Sequence, residues 1–137
     1  MIESFQGQAY EAHYLGFFDC FNRQVFYEAH EVLEDLWLAD KKGPNGDFYK
    51  GLIQLAGAFV HLQKNRLRPA AALFKLTRAN LLKYPAQHKG LVLPEILQMI
   101  SVWLTALEKG EYTLNPLATQ TAPQINPDVA VASPPNQ

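Results

Sequence analysis

The sequence predicts an all-α fold: a compact bundle of about five helices with a mostly disordered C-terminal tail. Three observations predict it. Apolar residues recur at helical spacing through nearly every segment before residue 110, and no convincing alternating strand interrupts them. The connections between those segments are short, which favours antiparallel neighbours in a bundle. From Tyr112 onward the composition changes to five prolines, no Lys or Arg and a single acid, a mixture that buries too little apolar surface to offset its ordering entropy. The boundaries follow: residues 1–111 form the bundle and residues 112–137 the tail, with Tyr112, Leu114 and Leu117 expected to lie against the bundle.

The first helix should run from about Gln8 to Phe21, placing Tyr10, Tyr14, Phe17, Phe18 and Phe21 on one side. Asn22 then ends it or caps the next helix. The second covers about Gln24 to Ala39, before the loop KKGPNGD, whose Gly, Pro and Asn are turn formers. Asp47 is the expected N-cap of a third helix from Phe48 to about Lys64. Pro69 and Pro94 suit the first turns of a fourth and a fifth helix, where a missing N–H is harmless. The fourth should stop near Tyr84, before Pro85, and the fifth near Lys109, before Gly110.

A chain of 137 residues can bury one useful core. Its single cysteine, Cys20, cannot form an internal disulfide, and it lies beside aromatic residues with no base adjacent in sequence, so a packing role is expected. The N-terminus lacks the basic region and apolar run of a signal peptide, and the most apolar stretch, Leu52 to Leu62, is too short to span a bilayer. A cytoplasmic location with no membrane partner is the expectation. The net charge of -1 hides an asymmetry. Residues 1–47 carry nine acids, whereas 48–94 carry none and eight basic residues.

Two helices contain polar residues that need partners. On a wheel of the second, Val25, Phe26, Ala29, Leu33, Leu36 and Trp37 form an apolar arc and Glu28, Glu31 and Asp35 face water. His30 and Glu34 fall at the boundary, one turn apart, with Tyr27 beside them and Trp37 a turn beyond. The third helix is apolar almost all round except for a stripe of Gly51, Gln54, Gly57, Ala58 and His61. Small residues there let a neighbouring helix approach closely, and unsatisfied Gln54 and His61 would each cost about 1–3 kcal/mol. The expected site is therefore His30, Glu34, Gln54 and His61 between the second and third helices, with Tyr27 and Trp37 nearby.

The block FNRQVFYEAHEVLEDLW, followed by FYKGLIQLAGAFVHLQKNRLRPAAALF, resembles the family known as domain of unknown function 309. An Asn after a helix, an F-E-A-H-E-x-x-E-x-x-W-type helix and an L-I-Q-x-A-x-A-x-x-H-type helix carry the resemblance over roughly residues 17–85. It departs at Arg68-Pro69-Ala70, where the family usually has a Gly-Ala step. The resemblance implies a compact helical bundle and supplies no function.

Two function classes stay open. In the first, the chain is a binding or interaction module whose polar cluster fixes helix packing, with no cofactor, assembling as a homodimer through the aromatic first helix or through Ile96, Ile100, Trp103 and Leu104 of the fifth. In the second, it binds a divalent metal or small ligand through His30, Glu34 and His61, with a hydrolytic activity as the extreme case and Glu31 as its base. His30-Glu31-x-x-Glu34 misses the H-E-x-x-H zinc motif by its second histidine, and no Glu lies three residues before any histidine as a di-iron bundle requires. Gly-Pro-Asn-Gly at 43–46 lacks the Lys-Ser/Thr of a phosphate loop. Arg68, Lys75, Arg78 and Lys83 share one arc of the fourth helix, a surface for an anion or a face complementing the acidic helices. With no aromatic among them and a near-neutral chain, nucleic acid is disfavoured. Arg78 is expected to reach Glu34 or another acid of the second helix.

Overall fold

The helix that reads as apolar almost all round occupies the middle of the bundle. The computed structural model describes residues 2–128, with side chains from Glu11 onward. In chain order it contains α1 (Ile2–Asn22), α2 (Phe26–Asp40), α3 (Gly46–Gln63), α4 (Leu67–Leu81), a hairpin of β1 (Gln87–His88) and β2 (Leu91–Val92), α5 (Leu93–Lys109) and a 3₁₀ turn at Pro116–Ala118. α3 packs against α2 on one side and α4 on the other; α1 packs on α2 and α5 on α4. The all-α expectation of five helices is met. Among the described residues no helix is long and apolar enough to cross a membrane.

Aromatic side chains fill the centre. Phe59 of α3 has no exposed surface, and its ring centroid lies 5.6 Å from Phe21, 5.0 Å from Phe26, 5.3 Å from Phe74 and 5.0 Å from Trp103. One residue thus ties α1, α2, α4 and α5 to α3, mostly in the edge-to-face arrangement that ring quadrupoles favour. Ile96, Ile100, Trp103 and Leu104 are buried in this core. These apolar residues of the fifth helix pack within the chain. The same holds for Tyr14, Phe17, Phe18 and Phe21 of α1.

Helix ends depart from expectation for local reasons. α1 begins at Ile2 rather than Gln8; Tyr10 lies among the residues whose side chains are not described. α2 starts at Phe26, because Gln24 takes a left-handed φ of 63° and cannot be helical. The Val25 N–H reaches Cys20 O and the Gln24 N–H reaches Phe21 O, the paired bonds that close a helix C-terminus. Asn65 (φ 57°) and Glu111 (φ 53°) close α3 and α5 in the same way. Gly110 thus precedes the left-handed residue, with φ -82°. Its small size is needed because a Cβ there would come within 3.1 Å of Leu114 Cβ.

Asp47 is not the N-cap of α3; Asn45 is, without a side-chain cap bond. Asp47 sits in the first turn and pairs with Lys83 at 2.8 Å. Tyr84 supplies the missing cap from outside the helix: its hydroxyl accepts from Phe48 N–H (2.9 Å) and donates to Pro44 O (2.8 Å). α4 therefore ends at Leu81, earlier than expected, and the chain turns toward this cap. The hairpin after it is absent from the sequence reading. Gln87 pairs with Val92 and His88 with Leu91, and Lys89 (φ 48°) and Gly90 (φ 81°) form the two-residue turn whose positive φ values match strand twist.

Of the segment expected to be a tail, residues 112–128 are described. Regular structure is confined to the 3₁₀ turn, started by Asn115, whose side chain accepts from Leu117 N–H and donates to Leu62 O. Tyr112 and Leu117 pack on the core, Pro116, Ala122 and Ile125 are buried, and Leu114 is exposed, contrary to expectation. Residues 129–137 lie outside the described residues.

Candidate functional site

Small residues on α3 decide which helix lies against its polar stripe. A Cβ on Gly51 would stand 3.1 Å from Asn80 Cβ, and one on Gly57 would stand 3.1 Å from Leu73 Cδ1. Both neighbours belong to α4, so the close approach expected of the stripe is made by α4 rather than α2. Thr77, fully buried, reaches across this contact with its hydroxyl 3.0 Å from Gly51 O and from Leu73 O. Gln54 finds its partner on the same helix: Asn80 Nδ2 donates to Gln54 Oε1 at 2.8 Å. The expectation that Gln54 pairs with His30 or Glu34 is corrected accordingly.

α2 passes on the other side of the stripe, leaving a cleft of about 290 Å³ between the three helices. Ile53, Gln54, Gly57, Val60 and His61 of α3 form its floor, Tyr27 and His30 of α2 one wall, and Leu73 of α4 the other. Four of the six residues expected at the site, Tyr27, His30, Gln54 and His61, therefore line one cavity. Glu34 and Trp37 do not line it. Trp37 packs against the core with the Lys41 ammonium 5.9 Å from its ring.

Glu34 belongs to a second cleft of about 490 Å³, bounded by His13, Tyr27, His30, Glu31, Val32 and Asp35. His30 stands between the two clefts. Its Nε2 lies 3.3 Å from Glu34 Oε2, one helical turn on, and His13 Nε2 lies 3.6 Å from Asp35 Oδ2. The other ring nitrogen of His30 is Nδ1. That atom is shut off from solvent and has no hydrogen-bond partner in the protein; the same is true of Nδ1 of His61.

The His61 imidazole is held below its ordinary pKa, first by burial and then by the nearby charges of Arg66 and Lys64. It is neutral at pH 7, able to donate from one nitrogen and accept at the other. His88 is pulled the same way by burial and by Lys89. Its ring lies edge-on to Phe48, with Nε2 2.7 Å from Asn45 Oδ1. Both histidines bind protons less readily in the folded chain than in the unfolded one. Stability is therefore fully present above the unfolded value near 6.5 and falls as pH drops through the folded values. Denaturant titrations between pH 7.5 and 5 are expected to show this decline, with a shallower slope in His61→Gln; an unchanged slope would remove His61 from the account.

Of the metal set His30, Glu34 and His61, Glu34 and His61 line different clefts. Among the described residues no group of three His, Cys, Asp or Glu side chains is placed to hold a metal ion. The basic arc is partly neutralised within the chain. Arg68 stacks 4.5 Å over the Tyr112 ring and Lys83 pairs with Asp47, while Lys75 is exposed and Arg78 half-buried. Among the described residues no ion pair links Arg78 to Glu34. The Cys20 thiol is pushed up by burial and by Asp19, which keeps it protonated and a poor nucleophile.

Sequence reasoning missed Leu73, Thr77 and Asn80. They recur at helical spacing on the face of α4 opposite the Gly51–Gly57 stripe, a pattern legible once α4 is chosen as its partner.

Fold and site define a small α-helical domain with a histidine-walled cleft over a largely apolar floor. Residues 14–73, from the middle of α1 into α4, match the family described as Domain of unknown function (DUF309). That stretch contains His30, His61 and the other residues that line the cleft. No curated protein and no solved structure matches the chain.

Proposed function

We propose that this protein is a small helical binding module whose site is the cleft between α2, α3 and α4. Its ligand is a compact, mainly apolar molecule bearing one group that both donates and accepts a hydrogen bond. One observation carries the reading: His30 and His61, from different helices, line the same apolar cleft and each keeps a buried Nδ1 without a partner. A buried polar atom left unpaired costs about 1–3 kcal/mol. A ligand hydroxyl or N–H that meets these atoms once the rings turn toward the cleft recovers that loss, with Ile53, Val60 and Leu73 against its apolar body. The cleft volume, about 290 Å³, suits a single substituted ring. A cytoplasmic setting belongs to the same reading, in keeping with the lone cysteine.

The test uses 4-ethylphenol and ethylbenzene as probes, followed by NMR of the ¹⁵N-labelled full chain. The phenol is expected to shift the Ile53 and Gly57 amides and the His30 and His61 ring nitrogens, and ethylbenzene to do so several-fold more weakly. His61→Leu should abolish the difference between the two probes. Shifts scattered away from this cleft, or identical titrations in the His61→Leu and His30→Leu variants, would refute the assignment.

A further inference from the structure

The C-terminal segment lies in a groove of its own, away from the histidine cleft. Asn22, the last residue of α1, holds Ile125 by both backbone groups: Ile125 N–H donates to Asn22 Oδ1 (2.7 Å) and Asn22 Nδ2 donates to Ile125 O (2.9 Å). The same Nδ2 lies 3.0 Å from Asn126 Oδ1. A side-chain amide placed this way reads an extended backbone as a neighbouring strand would, whatever the side chain it carries. Below it the Ile125 and Ala122 side chains are buried, three positions apart. Pro123 and Pro127 restrict their own φ angles and hold Ala122 and Asn126 extended, so the segment enters the groove already straightened.

Seating is incomplete on both flanks. A space of about 370 Å³ remains between the segment and β2 and α5, beside Ile96 and Met99. Another of about 530 Å³ remains on the α1 side, beside Leu15 and Phe18. Beyond Asn22, the segment's described backbone is tied by the Asp128 N–H bond to Gly90 O, and it joins the bundle through three exposed residues, Thr119 to Thr121. Open space on both flanks and an exposed connection mark an element that opens ahead of the core. Asn22 also lies inside the matched family stretch, whereas the segment it grips lies outside.

The geometry points to a peptide-recognition groove between α1 and α5, built around Asn22 and occupied in cis by residues 122–127. Its partner is an extended segment of another protein with a small residue, a branched aliphatic residue three positions on, and Asn-Pro after that. The cis segment acts as a competitor at millimolar effective concentration, so free peptide binds the unaltered chain weakly.

A fluorescein-labelled peptide TQTAPQINPD, the sequence of residues 119–128, tests this by anisotropy against full-length variants. Ile125→Asp should eject the cis segment and bind the peptide at least roughly tenfold more tightly than the unaltered chain. Adding Asn22→Ala to that variant, or replacing isoleucine by aspartate in the peptide, should abolish binding. Should Ile125→Asp lose its helical circular dichroism, Ile125→Ala takes its place with the same expectations. No binding to a folded variant, or binding indifferent to Asn22, overturns the proposal. So does a concentration-dependent dimer of the unaltered chain that Asn22→Ala abolishes, which would assign the groove to exchange between two copies.

Discussion

Phe59→Ala is expected to cost about 3–5 kcal/mol, read as a lowered midpoint of urea unfolding followed by circular dichroism. Phe59 is fully buried, and its ring touches aromatic side chains from four other helices within 5.0–5.6 Å. Truncation removes the transfer free energy of a benzyl group and leaves a hole bounded by rings that cannot all move inward together. Each lost edge-to-face pair adds about 0.5–1.5 kcal/mol. Small domains are stable by about 5–15 kcal/mol, so a loss of this size takes a large share of the total. Phe59→Leu, which keeps most of the volume, should lose less than half as much. A deficit under about 1 kcal/mol for the alanine variant would mean that α3 is not the element around which the others pack.

Much of this centre was legible in the sequence, because apolar spacing reports burial on a helix directly. α3 reads as apolar nearly all round and is the most enclosed helix; Phe17, Phe21 and Phe26 fall on the predicted arcs. The difficulty begins where an answer depends on which neighbour a face meets. A wheel gives the direction of Gln54 on its own helix but not whether α2 or α4 lies there, and the structure gives the amide to Asn80. His30 and Glu34 share a boundary on the wheel and line one cleft together, yet of the two only His30 also lines the cleft of His61.

Backbone choices were harder to see. Gln24, Lys89 and Glu111 all adopt left-handed φ, a conformation that sequence patterns assign to Gly or Asn. The expected end of α5 at Lys109, before Gly110, is where the helix stops, and the left-handed residue is the next one, Glu111. The hairpin escaped because two-residue strands are too short to show alternation. Asn22 reads as a helix cap from its position alone; its role in holding Ile125 depends on a contact 103 residues away.

The second large effect should come from Gly51→Leu, about 1–3 kcal/mol of stability lost by the same urea measurement. A leucine is a better helix former than glycine by roughly 0.8 kcal/mol, so propensity alone would predict a gain. Packing opposes it. The new Cβ would stand 3.1 Å from Asn80 Cβ and 3.3 Å from Leu81 Cδ2, and the rest of the leucine side chain has to pass between them. Asn80 Cβ is fixed to the backbone of α4, so relief requires the helix itself to move. That movement takes Thr77 away from Gly51 O and Asn80 away from Gln54, and it carries Leu73 off the cleft wall. Gly57→Ala provides the contrast. Its Cβ would meet only Leu73 Cδ1, the flexible end of a side chain, at 3.1 Å, and the gain in propensity should roughly offset the adjustment. The two variants should therefore differ in sign or by at least about 1 kcal/mol, with the His61 ring resonance displaced in Gly51→Leu and nearly unmoved in Gly57→Ala. Equal stability for the pair would show that α4 can shift freely on α3, and a cleft whose wall moves that easily could not hold its two imidazoles at a fixed spacing.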